Sequence, residues 1–501
     1  MSKKKFFTLL LALVTALTMS LAGTALAVDQ WNGTSRDIVT VPASGVLEIA
    51  TGAQLAGFAD AVNAGTDFAN CTVILSDDIN LNNHDWTPIG RFFSYWGANR
   101  AFRGVFDGAG HNITGLNVVN NSGNKLARGE TAALFGYIDF PAVTAAKSAA
   151  KAVSVTPAAK AQADAAVLGL TGETYDRVVA ERTDFYTAFG INPKAPATRS
   201  ITPAYGAKGI VKNVKVYGSV TNTAGQGAAG IVCWNDGLIE NCYFEGTIYC
   251  APQNRAYAGG ICSLLGDNDS ATDTYVVNCV VSADVKAHGS SFSYAGGIAG
   301  YCYEMNSGYV VNCSVQPGSK MDAYMDAGGV VGGFANQVYN CVSAADSVTV
   351  DGHNPNESGY YMGGIVGAFG TTYNCYWLQS SSTSTMQPGV AVGDGSDVSG
   401  LRTTVEALPA GSVFFTPTVV NVNGTASVTH TYYPTGAAAN PPALNNWSTT
   451  DSSVAAVSNG TVTGYSVGTA TVSATASSGA WSTSTPSAVS VTPESFVTVS
   501  Q

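Results

Sequence analysis

The chain has 501 residues, of which 46 % are hydrophobic and only 11 % are charged, and it contains 56 glycines. This composition favours strands and turns over helical bundles or disorder. The formal net charge of −11 argues against a nucleic-acid partner, which would require a basic face.

An export signal is predicted for residues 1–27. Lys3 to Lys5 form its basic end, Phe6 to Leu21 its apolar run, and Ala25-Leu26-Ala27 a cleavage site of small residues. No later stretch has the roughly 18 consecutive apolar residues that cross a bilayer. We therefore expect a secreted or cell-surface protein that is cleaved near Ala27 and has no membrane span. Association with the cell envelope stays open.

A short helix and a series of strands are predicted next. Thr51 caps the helix, apolar residues recur at helical spacing from Leu55, and Gly65 ends it. Such a helix would cover the first coil of a stack of repeats. The strands that follow are predicted from short apolar runs broken by Gly, Asn and Asp. These runs are Cys71–Leu75, Asp77–Leu81, Trp86–Gly90, Phe102–Gly108, His111–Val118 and Leu134–Ile138.

A short glycine-containing motif, such as Gly296-Gly297-Ile298, recurs between residues 209 and 377. An Asn-Cys pair follows each copy of this glycine motif. Successive copies are 30 to 37 residues apart, a period typical of solenoids. The predicted fold class is all-β, a parallel β-helix in which corner Asn residues bond to neighbouring coils and Gly takes positive φ. The copies lie at Gly230, Gly260, Gly297, Gly329 and Gly364, and the pairs end at Cys242, Cys279, Cys313, Cys341 and Cys375.

Several phrases occur together in a fixed order. They are Trp31, Gln54–Ala59 with Val62-Asn63, Asp78–Leu81, Trp86–Gly90, Phe106–Gly108 and the repeated glycine and Asn-Cys phrases. In this set the run from Trp31 to Trp377 resembles bacterial surface proteins built from GLUG-type repeats, which occur beside peptidase or adhesin modules. The resemblance implies a right-handed parallel β-helix over residues 28–379, serving as a stalk or binding surface without catalytic residues.

The repeat pattern is interrupted between Phe140 and Ala207. An Ala-rich sequence and the segment Glu173–Arg182 predict a helical insertion over residues 141–207. An insertion into a solenoid must leave it at a corner, either as a decoration or as a recognition lobe. After the repeats, residues 380–412 are Ser/Thr-rich and are predicted to be a linker.

Residues 413–501 are predicted to form a second domain. Alternating strands and the Asn459-Gly460 turn favour a small antiparallel sandwich. The segments Trp447–Asp451, Ser453–Val457, Asn459–Gly464 and Gly468–Ala474 closely resemble the bacterial immunoglobulin-like domain of group 2, abbreviated BIG2. This resemblance implies a spacer or adhesive module without catalysis.

Ten cysteines in an exported chain would ordinarily indicate disulfides. Five of them occupy one slot of the repeat, and Cys233, Cys262 and Cys302 follow the glycine motif. Because equivalent positions of stacked repeats lie above one another, we favour inward ladders of buried free thiols. Disulfides are the alternative. Metal binding is not predicted, since there is no paired C-x-x-C.

Motifs for catalysis are weak. None of the five histidines begins a His-Glu-x-x-His peptidase motif, and the Gly-x-Ser-x-Gly match at residues 464–468 joins two predicted strands, so we interpret it as a turn. The oxygen-rich loops Asp267–Asp269 and Asp394–Asp397 are interpreted as solvated loops and not calcium sites. Four carboxylates could serve a polysaccharide-cleaving groove, but backbone-bonding corner roles are favoured. These carboxylates are Asp77, Asp78, Asp85 and Asp107.

The predicted function is that of an exported, non-enzymatic, adhesin-like or scaffold protein that presents a β-helix surface to a glycan or protein partner. No catalytic, cofactor-binding or metal site is predicted. The alternative is a carbohydrate-active β-helix enzyme, a polysaccharide lyase or glycoside hydrolase. The candidate ligand contacts are Phe92, Tyr95, Trp96, Tyr360 and Tyr361.

Overall fold

The computed structural model describes residues of the repeat region and of the C-terminal region. The predicted signal segment, the insertion 141–207 and the linker up to residue 411 lie outside the described residues. The described ranges are 30–43, 45–93, 99–122, 128–139, 209–266, 274–302, 308–335, 338–339, 341–351, 360–368, 370, 372–373, 375–377, 412–415, 418–432, 443–476, 482–485 and 487–492.

The predicted helix is confirmed as α1 (Gly52–Ala64). Thr51 caps it: its Oγ accepts a hydrogen bond from the Gln54 backbone N–H at 3.2 Å, and the Gln54 side chain accepts one from the Thr51 N–H. This reciprocal pair is a capping box. Gly65 ends the helix in the left-handed region with φ 117°. The buried Phe58 of α1 packs edge-on against Phe68 and Phe102, so the helix contributes to the main core.

Four parallel sheets form the repeat region. With strands numbered in chain order, sheet I contains β1 (Val46–Ile49), β2 (Thr72–Leu75), β4 (Val105–Asp107), β8 (Ile210–Lys212), β12 (Leu238–Glu240), β16 (Thr274–Val277), β20 (Gly308–Val311), β25 (Val338–Tyr339) and β30 (Thr372–Tyr373). Sheet II contains β3 (Ile79–Asn80), β5 (Asn112–Asn120), β9 (Lys215–Asn222), β13 (Tyr243–Cys250), β17 (Val280–Ala287), β21 (Ser314–Val315), β22 (Lys320–Ala323), β26 (Val342–Ser343), β27 (Ser347–Val350) and β31 (Tyr376–Trp377).

The other two sheets have six strands each. Sheet III contains β6 (Thr131–Ala132), β10 (Gly227–Ala229), β14 (Ala256–Gly259), β18 (Ser293–Gly296), β23 (Asp326–Gly328) and β28 (Tyr361–Gly363). Sheet IV contains β7 (Phe135–Ile138), β11 (Val232–Asn235), β15 (Cys262–Leu265), β19 (Ala299–Cys302), β24 (Val331–Gly333) and β29 (Val366–Ala368). From β8 onward the chain visits sheets I, II, III and IV in turn, so each repeat copy adds strands to all four sheets.

The repeated Asn residues bond as predicted, and the repeated Gly residues have a different role. Asn241 and Asn278, not the glycines of the motif, take positive φ, at 53° and 55°. The predicted bonding between Asn residues of neighbouring repeats is confirmed, since the Asn241 side chain donates to Asn213 Oδ1 at 2.8 Å. Gly297 serves close approach instead: a Cβ there would lie 2.3 Å from the Gly329 carbonyl oxygen of the next coil. The predicted positive φ is found at other glycines of the repeat region, such as Gly90 at 79°.

The ten cysteines are buried and free, and the ladder predicted for the Asn-Cys slot is confirmed. The backbone N–H of Cys279 lies 3.4 Å from Cys313 Sγ, and the same distance separates Cys313 from Cys341 and Cys341 from Cys375. Cys262 does not extend a second ladder, because its partners in the sheet are Val232 and Ala299. The cysteines that follow the glycine motif are therefore buried, but they do not occupy equivalent positions on paired strands.

The C-terminal part is a β-structure with its own core, which includes Phe415, Val462, Val472 and Val489. Most of its strand pairs are antiparallel, as predicted, whereas two pairs are parallel: residues 412–415 with 482–485, and residues 418–421 with 487–492. The strands are β32 (Ser412–Phe415), β33 (Thr418–Asn421), β34 (Thr425–Ser427), β35 (His430–Tyr432), β36 (Leu444–Thr449), β37 (Ala455–Ser458), β38 (Thr461–Gly464), β39 (Gly468–Ala476), β40 (Ser482–Thr485) and β41 (Ser487–Thr492).

Among the described residues, no helix has the length and apolar character needed to cross a membrane.

Candidate interaction surface

The outer face of sheet II is broad and polar. Its strands β9, β13 and β17 have eight residues each. Alternate side chains, such as Val216, Phe244 and Val281, lie in the main core, so the side chains between them point outwards. The outward rows are Tyr217–Glu245–Ser282, Ser219–Thr247–Asp284–Lys320–Ser347 and Thr221–Tyr249–Lys286–Asp322–Thr349.

One group on this face, the distal cluster, consists of Tyr249, Lys286, His288, Asp322 and Asp351. Asp322 is its centre: Oδ2 lies 3.1 Å from His288 Nε2 and 3.8 Å from Lys286 Nζ. The second ring nitrogen of His288 lies 3.9 Å from Asp351, and the Tyr249 ring centroid is 6.5 Å from that of His288. An aromatic ring thus stands beside a fixed network of donors and acceptors.

Electrostatics hold this network in its charged form. The hydrogen bond to Asp322 raises the pKa of His288, and the Asp322 charge adds to this effect while burial opposes it. Burial acts to raise the pKa of Asp322, but its bonds from His288 and Thr349 outweigh burial, so that pKa is lowered. At mildly acidic pH the imidazolium and the carboxylate therefore stabilise each other.

Tyr249 is accessible in this setting, with 41 % of its surface exposed. An aromatic ring can stack on the C–H face of a sugar, while carboxylates, imidazole and ammonium groups bond its hydroxyls. The distal cluster offers both kinds of group on neighbouring strands. It therefore has the chemistry of a carbohydrate-binding platform.

A second group, the proximal cluster, lies at the N-terminal end of the same face and contains Asp78, His111, Asn112, Lys215 and Tyr217. Asp78 Oδ1 lies 3.1 Å from His111 Nδ1 and accepts the Asn112 backbone N–H at 2.9 Å. Burial lowers the pKa of Lys215 against the opposing charge of Asp78. Burial also raises the pKa of Tyr217. Titratable groups with shifted pKa values are common at functional sites, although structural networks shift them as well.

The candidate aromatic contacts are not brought together. Phe92 is buried, with its ring centroid 3.7 Å from that of Trp234, so the expectation that its ring is exposed is wrong. Tyr95 and Trp96 lie outside the described residues. Tyr360 and Tyr361 are partly exposed, and the Tyr360 ring lies 6.1 Å from that of the exposed Tyr324.

The four candidate carboxylates all accept backbone N–H groups, which confirms the corner role predicted for Asp78 and Asp107. Asp107 accepts from Ala109 at 2.9 Å, and Asp77 accepts from Asp78 at 2.8 Å. Asp85 bonds the Val119 N–H and also Arg128. Backbone bonding does not exclude other roles, and Asp107 has a further partner.

That partner is Lys212, whose Nζ lies 3.2 Å from Asp107 Oδ2. Lys212 is also the direct neighbour of Glu240 on the next strand. We name Asp107, Lys212 and Glu240 the sheet I triad. Sequence reasoning missed it, although a signal was present: Lys212 and Glu240 each stand immediately before the repeated Asn. Aligning the copies on that Asn would have placed the two side by side.

No other chemical centre emerges from the described residues. In them, no three His, Cys, Asp or Glu side chains are grouped so that they could hold a metal ion. The loops Asp267–Asp269 and Asp394–Asp397 lie outside this part of the chain. Ser466 of the Gly-x-Ser-x-Gly match donates to the Ser453 carbonyl at 2.7 Å, between β38 and β39, as expected for a turn.

Comparisons with known proteins identify one domain. Residues 409–486 match the bacterial Ig-like domain (group 2), in agreement with the resemblance seen in the sequence. No curated protein matches the chain. Among solved structures, the chain is similar to a Bacteroides ovatus protein described as a candidate immunoglobulin A1 protease, with 16 % identity over 69 % of this chain and 81 % of that chain. The TM-score of 0.39 is too low to establish a shared fold.

Proposed function

We propose that this is an exported, adhesin-like protein that binds a glycan on the outer face of sheet II. In this proposal, residues 28–379 form a right-handed parallel β-helix of GLUG-type repeats. The cyclic order of the four sheets supports this architecture. The bacterial Ig-like domain supports an extracellular location, since such domains occur in extracellular bacterial proteins.

One observation carries the proposal: the exposed Tyr249 ring next to the charged network of His288, Asp322 and Lys286. A face whose outward rows continue across several strands suits an extended chain of sugars, because a partner can be contacted along several repeats. A protein partner is the other occupant to be tested. The role predicted for Tyr360 and Tyr361 stays a prediction, and they would extend the platform beyond Tyr324.

A glycan array probed with the mature protein tests this function. Loss of the stacking ring in Tyr249→Ala is expected to weaken binding about tenfold, a difference of about 1.4 kcal/mol. Tyr465→Ala is the matched control, because Tyr465 is also an exposed tyrosine, at 52 %, in the Ig-like region. Equal binding by both variants, or binding of a protein and no glycan, would contradict the proposal.

The proximal cluster favours a second candidate function, cleavage of an acidic polysaccharide by β-elimination. A lysine whose pKa is lowered by burial, as for Lys215, can act as a general base. Depolymerisation of uronate polymers is the test, with ultraviolet absorbance of the unsaturated product as the readout. Turnover that is lost in Lys215→Met but kept in Lys286→Met would favour the enzyme over the binding protein.

A further inference from the structure

The sheet I triad places one amine between two carboxyl groups. Asp107, Lys212 and Glu240 are partners in register on three adjacent strands. The Lys212 and Asp107 side chains are only 16 % and 9 % exposed and are in direct contact. Lys212 and Asp107 are therefore held together with little access to water.

The surroundings of the triad are apolar. Two residues earlier on the same three strands stand Val105, Ile210 and Leu238, and the row of the triad continues into Val277 and Val311. All five are buried and belong to one apolar cluster. An ion pair in such surroundings loses part of the hydration that stabilises its charged groups.

Glu240 lies beside Lys212, in register on the next strand. Burial raises its pKa, the Lys212 charge opposes this effect, and the Asp107 charge adds to it. Glu240 therefore keeps its proton to a higher pH than an ordinary glutamic acid. An acid next to a Lys–Asp pair can hand that proton to a departing oxygen.

The far oxygen of Asp107 is held by two donors. Oδ1 accepts the Ala109 backbone N–H and the Asn213 side-chain N–H, each at 2.9 Å. Asn213 is held in turn by the Asn241 side chain, which donates to it at 2.8 Å. Two fixed donors on one oxygen can stabilise the negative charge that develops there when a nucleophile adds to the carboxyl carbon.

We propose that Lys212 and Asp107 condense to form an amide bond between their side chains, with Glu240 as the proton relay. The Lys212 ammonium first transfers a proton to Asp107 Oδ2, which gives a neutral amine and a carboxylic acid. The Nζ lone pair then forms a bond to Cγ, and the carbonyl electron pair moves to Oδ1.

Collapse of this intermediate re-forms the carbonyl and breaks the Cγ–Oδ2 bond. Glu240 donates its proton to the departing Oδ2 hydroxyl and takes one from Nζ, so Glu240 ends unchanged. An ammonium and a carboxylate thus become an amide and one water. Charge balances, and neither an oxidant nor a co-reactant is needed. Reactions between groups held in this way reach effective molarities of about 10⁵–10⁸ M.

The bond would join strand β4, before residues 141–207, to strand β8, after them. Coils on the two sides of the inserted residues would then stay tied together even when hydrogen bonds between them open. This inference does not depend on glycan binding. It assigns a covalent modification to a pair of residues that otherwise forms an ion pair.

Intact mass spectrometry of the denatured, reduced full chain tests it. We expect the wild-type mass to be lower than the sequence mass by one water, after allowance for any signal cleavage, and a joined peptide containing Asp107 and Lys212. Lys212→Arg keeps the positive charge and should have the full mass. A wild-type protein that keeps the full mass after prolonged incubation at neutral pH overturns the proposal.

Two further variants assign the roles. Glu240→Gln should slow the appearance of the joined peptide at least tenfold, whereas Lys286→Arg, a lysine paired with Asp322 on sheet II, should leave it unchanged. Circular dichroism checks that each variant has folded. Glu240→Asp, which keeps a carboxylic acid at this position, is measured together with Glu240→Gln. Joining at the wild-type rate in a folded Glu240→Gln protein overturns the relay. A water lost in Lys212→Arg as well would place the modification elsewhere and overturn the bond itself.

Discussion

The outer faces of sheets I and II come from the same alternating pattern but are opposite in character. On sheet I the outward side chains of Val105, Ile210, Leu238, Val277 and Val311 are buried. On sheet II the outward residues Glu245, Thr247 and Tyr249 are exposed. Inward residues of both sheets join one core.

This difference shows that alternation alone does not reveal which face of a strand meets solvent. An apolar outward row, with a charged triad at its N-terminal end, indicates a face built for stability. A polar outward row with exposed tyrosines indicates a face available to a partner. Substitutions at matched positions on the two faces should therefore have very different effects.

The largest difference is expected from introducing a carboxylate into each outward row. Val311→Asp on sheet I places a charge between the buried Val277 and Tyr339 without a cationic partner, and should lower the free energy of unfolding by about 4 kcal/mol or prevent folding. Thr247→Asp on sheet II meets solvent and should change it by less than about 0.5 kcal/mol. Urea unfolding curves measure both. Similar midpoints for the two variants would mean that the faces are equivalent.

Removing a lysine from each face gives the next largest contrast. Lys212→Ala leaves the buried Asp107 carboxylate without its cationic partner, and should cost about 3–5 kcal/mol. Lys286→Ala removes a lysine whose side chain is 50 % exposed, and should cost less than about 1 kcal/mol. Thermal unfolding at pH 7 compares them. A Lys212→Ala protein as stable as Lys286→Ala would show that the triad is hydrated.

The positions that neighbouring repeats bring together could be predicted from the sequence, because equivalent residues of stacked repeats lie next to one another. The helix cap at Thr51, the strand runs and the column of Asn-Cys thiols follow from local pattern and period. The role of Gly297 could not be predicted, since close approach depends on the next coil and not on local φ. Nor could the burial of Phe92, whose partner Trp234 is distant in the chain. The sheet I triad could not be predicted either, because its prediction requires the register between strands that residues 141–207 separate in the sequence.

A smaller effect is expected from titrating the distal cluster. The raised pKa of His288 means that its stabilisation is complete below the ordinary histidine value of about 6.5 and is lost as the pH rises through the raised value. The lowered pKa of Asp322 means that its share is lost as the pH falls below about 3.9. The pair should therefore contribute most between about pH 4 and 6.5, by less than about 1 kcal/mol because both groups are partly exposed.

His288→Gln should remove this pH dependence, while Asp351→Asn should remove little of it, because Asp351 is 3.9 Å away and largely exposed. Melting temperatures measured from pH 4 to pH 9 in low salt report the difference. If the His288→Gln profile keeps the wild-type slope between pH 6 and 8, the His288–Asp322 pair does not form in solution.

The smallest change in stability is expected at the proposed ligand contact itself. Tyr249→Ala removes an exposed ring and should alter the free energy of unfolding by less than about 0.5 kcal/mol. Phe244→Ala, on the same strand β13, removes a fully buried ring and should cost about 3–5 kcal/mol. Urea unfolding of both variants, alongside the glycan array, separates binding from folding. A Tyr249→Ala protein that unfolds as early as Phe244→Ala would mean that the ring stabilises the sheet, and its loss of glycan binding could then be attributed to misfolding.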